Sequence, residues 1–201
     1  DFTISDLLQI IDDILATHDV SSSHLTLLGF SMGGRMSLSI LQAIPQRIHK
    51  MILLAPDGLK VNFWYWLATQ TYIGNRLFSF TMKHPAWFFS LIRLGNKLKL
   101  LNHSVNNFSN HYVHDKTIRR QLYLRWTGFR KIKPDLDIVK KNIQQHKIQV
   151  RLVYGAFDRI IRHERGTKFS KGIETYCKLI IIQSGHQLLQ EKNAALITGL
   201  L

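Results

Sequence analysis

Cysteine is almost absent from this sequence, which has a single one, Cys177, among 201 residues. One cysteine excludes an internal disulfide and favours a reducing compartment, so we expect a cytoplasmic protein. No N-terminal stretch joins a basic start to an apolar core, so no signal peptide is visible. The apolar aromatic region around Phe63–Leu67 is broken by Gln70, Asn75 and Arg76, well short of the run that a membrane-spanning helix needs.

Acidic residues are scarce as well. The chain has 13 aspartates and glutamates against 27 lysines and arginines, which gives a formal net charge of +14 and a pI near 10.1. The basic residues are spread along the chain, and their densest stretch comprises Lys97, Lys99, Arg119, Arg120, Arg125, Arg130, Lys131 and Lys133. Since charge alone does not read a nucleic-acid sequence, we expect a solvated basic face with weak association with anionic surfaces, and no specific nucleic acid partner.

Signatures of other chemistries are missing too. There is no Gly-x-Gly-x-x-Gly, no phosphate-binding loop and no pair of cysteines or histidines at zinc spacing, so we expect no cofactor and no metal. His111, His114 and Asp115 resemble a loose metal cluster, but they fall in a polar stretch and are expected to be surface residues. Neither internal repeats nor low-complexity tracts occur.

Short apolar runs and helical periodicity predict alternating strands and helices. The predicted buried strands are His24–Gly29, Lys50–Pro56, Ile148–Tyr154 and Cys177–Gln183. A first helix is expected from Ser5 or Asp6 to about Thr17, and Ser5 can cap it. Further helices are expected at Ser37–Ile44, Leu136–Gln145, His163–Lys171 and Leu188–Ile197.

The pattern changes between Leu59 and about Pro134, where aromatic residues mix with basic ones and several amphipathic helices replace the strands. Strands and helices alternate on both sides of this insertion, which predicts an α/β fold with a mostly parallel sheet of about four strands flanked by helices. The insertion itself would be a helical cap after the second strand. We assign residues 1–58 and 134–201 to the core and 59–133 to the cap. The cap would lie above the carboxyl edge of the sheet, where open α/β sheets bind ligands.

The sharpest motif is Gly-Phe-Ser-Met-Gly-Gly at positions 29–34, between a predicted strand and a predicted helix. That context favours a nucleophile elbow over a simple glycine-rich turn. The elbow needs small flanking residues because the strained backbone passes close to its neighbours. Ser31 would be held clear of the sheet at a helix start, and the N–H of Met32 would be one oxyanion donor.

A serine nucleophile needs a base and an acid. His186 follows the last predicted strand, which favours it as the base over a reading as a helix-capping or surface histidine. Asp158 follows the third strand and precedes His186 by 28 residues, so that it can hold the imidazole in one tautomer. Asp57, which ends the second strand, is the alternative acid.

Together, Ser31 in Gly-Phe-Ser-Met-Gly-Gly, Asp158 in Tyr-Gly-Ala-Phe-Asp-Arg-Ile-Ile and His186 in Ser-Gly-His resemble the α/β-hydrolase family, most closely bacterial esterase-like members with a helical cap. The resemblance covers essentially the whole chain and favours Asp158 over Asp57 as the acid. It implies that the nucleophile strand is the fifth of eight, so that this chain would contribute the last four. The family's first strands and its His-Gly oxyanion loop have no counterpart here, and we expect roughly 60–80 further residues in a complete relative.

The motif and the resemblance imply a serine hydrolase that forms an acyl-enzyme. The expected substrate is a small carboxylic ester with an apolar acyl or aryl group; thioesters and carbon–carbon cleavage of dienone acids remain open. The residues expected to contact the substrate are aromatic, namely Phe30, Phe63, Trp64 and Trp66. Two rivals are a catalytically inactive member of the fold used for binding and a module that binds nucleic acid or anionic membranes.

Overall fold

A computed structural model describes residues 1–20, 23–60, 63–97 and 113–201 of the chain. The chain divides into two units. One comprises Thr3–Lys60 and Ile132–Leu201, and we call it the sheet unit. The other comprises Asp1–Phe2 and Val61–Lys131, and we call it the helical unit.

Four strands form one sheet in the order β1-β2-β3-β4, and each neighbouring pair is parallel. They are β1 (Leu25–Phe30), β2 (Ile48–Leu54), β3 (Gln149–Gly155) and β4 (Cys177–Ile182). The predicted parallel sheet is therefore confirmed, with strand ends shifted by one or two residues at most positions. Because all strands run the same way, the residues that follow them lie at one edge of the sheet.

Burial explains which strands are central. Met51–Leu54 in β2 and Leu152–Tyr154 in β3 have no exposed surface, as expected for parallel strands covered on both faces. In contrast, β1 is an edge strand of the described sheet, and it alternates partly buried and exposed residues. Leu28 in β1 is 45% exposed.

The bounds of the described helices follow in chain order. They are α1 (Ile4–Thr17), α2 (Met32–Ala43), α3 (Phe63–Gln70), α4 (Tyr72–Lys83), α5 (Ala86–Lys97), α6 (Lys116–Gly128), α7 (Leu136–Gln145), α8 (Glu164–Ser170) and α9 (Ala194–Thr198). In the sheet unit, α2 packs against β1, β2 and α7, while α8 packs against β4. None of the helices in the described ranges has the length and apolar character needed to cross a bilayer.

Two predicted helix starts are wrong. The first helix is capped by Thr3, whose hydroxyl accepts from the N–H of Asp6 at 3.3 Å, while the Asp6 carboxylate accepts from the Thr3 N–H at 2.7 Å. This reciprocal pair makes Thr3, and not Ser5, the helix cap. The second helix begins at Met32, five residues before the predicted Ser37, because the turn at Ser31 leads directly into it.

The predicted closing helix from Leu188 to Ile197 is only partly correct. Its first residues form a loop and a short 3₁₀ turn, and α9 begins at Ala194. The carbonyl of Leu188 accepts from the side-chain amide of Asn193 at 2.9 Å and from the Gln190 N–H at 2.9 Å. In an α-helix this carbonyl would instead accept from the backbone N–H four residues later. The apolar residues at this point therefore belong to a loop.

The described part of the helical unit is made of α3, α4, α5 and α6. Phe78 on α4 joins Tyr123 and Trp126 on α6, with ring centroids 5.4 and 5.5 Å away. Arg119 is 9% exposed and donates to the backbone carbonyls of Val113, His114 and Met82. These contacts fix α4 and α6 against each other.

Candidate active site

Ser31 occupies the turn between β1 and α2 at the carboxyl edge of the sheet. Its φ of 50° and ψ of −112° lie in a region that residues with a side chain rarely adopt. The backbone is held there by hydrogen bonds, since the Ser31 N–H donates to Leu54 at 2.9 Å and its carbonyl accepts from Gly34 and Asp57 at 2.9 and 2.8 Å. Such strain persists only where the surroundings fix it, and it aims the Ser31 hydroxyl away from the strand.

The two glycines of the Gly-x-Ser-x-Gly motif have different surroundings. A Cβ on Gly29 would lie 2.6 Å from the Gly33 carbonyl oxygen and 2.6 Å from the Ser37 hydroxyl, which is closer than real contacts allow. A Cβ on Gly33 would meet nothing within 4 Å. The prediction that both flanking positions need a small residue because of close backbone packing is therefore wrong for Gly33.

Asp158 follows β3 and is 5% exposed. One carboxylate oxygen, Oδ1, accepts from the backbone N–H groups of Ile160 and Ile161 at 2.8 and 2.9 Å. The other, Oδ2, lies 2.8 Å from Nδ1 of His186. The carboxylate is thus held by its own turn and faces the loop after β4.

His186 bridges the other two residues. Its Nε2 lies 3.3 Å from Oγ of Ser31, and its Nδ1 contacts Asp158. A carboxylate only accepts, so Nδ1 carries a proton and Nε2 offers its lone pair to the Ser31 hydroxyl. The structure therefore brings together the three residues that the sequence selected.

The turns that carry Asp158 and His186 are joined through their backbones. The N–H of Phe157 donates to the Ser184 carbonyl at 3.0 Å, and that of Ala156 donates to Ile182 at 2.8 Å. A Cβ on Gly155 would lie 2.3 Å from the Gly185 carbonyl oxygen, so only glycine permits this approach. The distance between Asp158 and His186 therefore depends on main-chain contacts as well as on their side chains.

Asp57, the alternative acid, has a different partner. Its carboxylate forms an ion pair with Arg35 on α2, and its Oδ1 accepts from the Gly58 N–H at 2.8 Å. Arg35 is only 8% exposed. Sequence reasoning missed Arg35, although it is the one charged residue of α2 and lies close to the motif, which is a signal for a paired charge.

The sequence model of the serine aminopeptidase S33 family matches residues 1–193. This chain belongs to that family of α/β-hydrolases. Its family and its fold identify the S33-family chain as an α/β-hydrolase. Both agree with the resemblance to α/β-hydrolases that the sequence motifs predicted. No curated protein sequence matches it significantly.

Three solved structures show how far the fold of this S33-family chain is shared. A carboxylesterase from the ammonia-oxidizing thaumarchaeon Nitrososphaera gargenis has 13% identity and a TM-score of 0.57, covering 98% of this chain and 71% of that chain. The 2-hydroxy-6-oxo-6-phenylhexa-2,4-dienoate hydrolase of a Rhodococcus species has 18% identity and a TM-score of 0.56, covering 98% of this chain and 69% of that chain. The thioesterase domain of the curacin biosynthetic pathway has 17% identity and a TM-score of 0.51, covering 99% of this chain and 72% of that chain. At such identities the likeness concerns the fold alone.

The residues expected to contact substrate fall in both units of the S33-family chain. Phe30 precedes Ser31, and its ring centroid lies 5.3 Å from that of His186. Phe63 and Trp66 stack on α3 in the helical unit at 6.1 Å, and they are 61% and 41% exposed. The side chain of Trp64 lies outside what the structure describes. Within the sheet unit, the structure places the Phe30 ring beside the Ser31–His186 pair.

Met32 is the first residue of α2. The N–H groups in the first turn of a helix have no partner inside that helix.

The loose His-Asp cluster has an ordinary structural role where it is described. His114 and Asp115 are exposed, and Asp115 caps α6 by accepting from Thr117 and Ile118 at 2.8 Å each. His111 lies outside the described residues. Among the described ranges, no group of three or more His, Cys, Asp and Glu residues can hold a metal ion.

Proposed function

We propose that this chain is a serine hydrolase that cleaves carboxylic esters through an acyl-enzyme on Ser31. The observation that carries the proposal is the continuous contact from Oγ of Ser31 to His186 and on to Asp158, at 3.3 and 2.8 Å. Nucleophile, base and orienting acid in hydrogen-bond reach define this chemistry in unrelated folds.

In the proposed reaction, the Ser31 oxygen bonds to the ester carbonyl carbon as Nε2 of His186 takes the hydroxyl proton. The imidazolium returns that proton to the departing alcohol, which leaves an acyl group on Ser31. Water then repeats the sequence, giving its proton to His186 and releasing the acid. Asp158 stabilises the imidazolium and keeps the ring oriented, because its other oxygen is fixed by two backbone N–H groups.

The tetrahedral intermediate carries a negative oxygen that needs hydrogen-bond donors. We assign the Met32 N–H as one of them, since it begins the helix that follows Ser31. The aligned peptide dipoles of α2 favour negative charge at this end.

The proposed substrate class is an ester with an apolar acyl or aryl group. Support comes from Phe30, whose ring lies 5.3 Å from that of His186. The proposal that Phe63, Trp64 and Trp66 also contact the acyl group rests on the sequence. The names of the related structures keep thioesters and carbon–carbon bonds as alternatives, and the family name adds peptide N-termini.

A p-nitrophenyl ester series from acetate to decanoate tests the proposal on the wild-type chain and on Ser31→Ala. We expect hydrolysis by the wild type and a loss of about 10³-fold or more in Ser31→Ala. Ser39→Ala is the matched control, because Ser39 lies on α2, is 6% exposed and has no hydrogen-bond partner among the described residues. It should retain wild-type activity.

Parallel assays with an acyl thioester, an aminoacyl p-nitroanilide and a dienone acid separate the related activities. Preference for one of these over every ester would overturn the ester assignment while keeping Ser31. Equal activity in wild type and Ser31→Ala would overturn the nucleophile. No turnover of any substrate by the wild type would indicate the inactive binding protein.

A further inference from the structure

Net charge is distributed unevenly between the two parts of this chain. Residues 61–131 contain eleven lysines and arginines but a single acidic residue, Asp115. This segment of 71 residues therefore carries ten of the fourteen net positive charges of the chain. The basic residues are spread along the whole sequence, whereas the acidic residues are nearly absent from the helical unit.

The helical unit also exposes apolar side chains in a regular pattern. Ile73, Leu77 and Phe80 on α4 are 79%, 52% and 51% exposed. At about 100° per residue they fall within an arc of about 60° on one face of the helix. Arg76 and Lys83, both exposed, border this arc on one side. We call these five residues the α4 face.

The residue next to this face adds to the pattern. Tyr72 is 74% exposed, and its hydroxyl accepts from the Arg76 guanidinium at 2.7 Å. The Arg76 guanidinium also lies 5.5 Å from the centroid of the Tyr72 ring. A tyrosine beside a basic residue is typical of the level where a bilayer meets water.

The α4 face belongs to a helix whose other side is packed. Phe78 contacts the rings of Tyr123 and Trp126 on α6, and Thr81 is buried. Since the helix already has a buried side, the exposed apolar residues are additional to what folding needs. An exposed apolar face of this kind marks a surface for interaction.

The next helix has a similar composition. On α5, Leu91 and Leu94 are 54% and 53% exposed, and Arg93 and Lys97 are exposed beside them. Two consecutive helices of the unit therefore combine outward aliphatic residues with basic ones.

We propose that the α4 face binds the surface of an anionic lipid bilayer, with Ile73, Leu77 and Phe80 entering the headgroup boundary. Apolar side chains supply burial, and the positive charge of the unit is complementary to acidic headgroups. Two of the three apolar residues of the face, Ile73 and Leu77, are aliphatic and offer no stacking surface for nucleic acid bases, which favours lipid over nucleic acid. The helix lies along the surface, because 12 residues span only about 18 Å.

The first helix provides an internal comparison. Ile10 and Ile14 on α1 are 44% and 53% exposed and lie four positions apart, like Ile73 and Leu77. However, α1 carries Asp6, Asp12 and Asp13 and no lysine or arginine. An anionic surface repels this helix, so the two faces should behave oppositely.

The test measures co-sedimentation of the Ser31→Ala chain with vesicles of phosphatidylcholine, alone or mixed with phosphatidylglycerol. The Ser31→Ala background prevents lipid hydrolysis, so the result is independent of the proposed catalytic activity. We expect binding to the mixed vesicles that is at least about tenfold stronger than to neutral ones. Ile73→Gln/Leu77→Gln should weaken it about tenfold or more, while the matched Ile10→Gln/Ile14→Gln should bind like its parent.

A second variant separates apolar burial from charge. Arg76→Gln/Lys83→Gln should weaken binding to the mixed vesicles by about fivefold per charge removed. Circular dichroism verifies that each variant folds, which the exposure of the substituted residues favours.

Three outcomes overturn the proposal. One is no binding to the mixed vesicles at low salt. Another is binding that Ile73→Gln/Leu77→Gln leaves unchanged, which would indicate charge attraction alone. The third is a single-stranded oligonucleotide that binds more tightly than the mixed vesicles, which would assign the basic surface to nucleic acid.

Discussion

At the residue scale, Asp158 illustrates how a carboxylate is fixed for one task. Its Oδ1 accepts from two backbone N–H groups of its own turn, and its Oδ2 faces Nδ1 of His186 at 2.8 Å. Asp57 has a comparable position after β2, but its carboxylate is paired with Arg35. The two acids that the sequence left as candidates therefore have different partners, and this difference is measurable.

Asp158→Asn should lower kcat for an ester substrate by about 10³–10⁴-fold, because the amide can donate to Nδ1 and favour the wrong tautomer of His186. Asp57→Asn is the matched variant, and it should lower kcat by less than about tenfold, since it weakens an ion pair beside the site. Steady-state kinetics on both proteins gives the comparison. A larger loss in Asp57→Asn than in Asp158→Asn would make Asp57 the acid.

Cys177 gives a residue-scale prediction about pH. Its side chain is 4% exposed, and burial raises the pKa of the thiol to about 12. The folded protein should not react with a disulfide reagent at pH 8, whereas the denatured protein should react fully.

The same thiol links stability to pH. The unfolded chain loses this proton near pH about 8.5, while the folded chain retains it. Stability is therefore fully present below that pH and falls as pH rises towards 12. Cys177→Ala should show a shallower fall in melting temperature over this range, and an equally steep fall would contradict the assignment.

At the element scale, the turn between β1 and α2 is a strained connection held by three backbone hydrogen bonds of Ser31. The Arg35–Asp57 ion pair ties the first turns of α2 to the segment after β2. The N–H of Asp57 also donates to the Ser31 carbonyl at 2.8 Å. The conformation of Ser31 therefore depends on β2 as well as on its own strand and helix.

Gly29→Ala should destabilise this turn, since its Cβ would meet the Gly33 carbonyl and the Ser37 hydroxyl at 2.6 Å. We expect a loss of about 1–3 kcal/mol in the free energy of unfolding, with ester hydrolysis reduced as well. Gly33→Ala is the control within the same motif, and it should fold with equal or greater stability because α2 is helical there and its Cβ has open space. Urea unfolding measures both; a greater loss in Gly33→Ala would contradict the packing described.

Elements were predictable where the signal was local. The apolar runs within β2 and β3 marked buried strands, because parallel strands covered on both faces are apolar at nearly all of their central positions. The length of the closing helix was overestimated. Its predicted first residue, Leu188, belongs to a loop, and the Leu188 carbonyl accepts a hydrogen bond from the Asn193 side chain. That bond depends on the folded loop, which no periodicity reports.

At the scale of the whole molecule, the site was predictable because parallel strands bring their carboxyl ends to one edge. Ser31, Asp158 and His186 each follow a strand, so chain order alone placed them near each other. The Arg35–Asp57 pair was not predicted, since its partners are 22 residues apart and carry no motif. The open space around Gly33 was not predicted either, because it depends on how the folded chain packs.

The concentration of charge is a further property of the whole chain. The total composition gave the net charge of +14, but it did not show that acidic residues are nearly absent from the helical unit. The apolar α4 face became visible only through exposure, because its periodicity is the same as that of a buried helix face.

The central claim is that Ser31 is a nucleophile activated by His186. Labelling with a fluorophosphonate probe, followed by peptide mass mapping, tests it most directly, because the probe reacts covalently with an activated serine and needs no knowledge of the substrate. We predict one adduct per chain on the peptide that contains Ser31, and no adduct in Ser31→Ala or His186→Ala. Labelling of another residue, or none in the folded wild-type chain, would contradict the account.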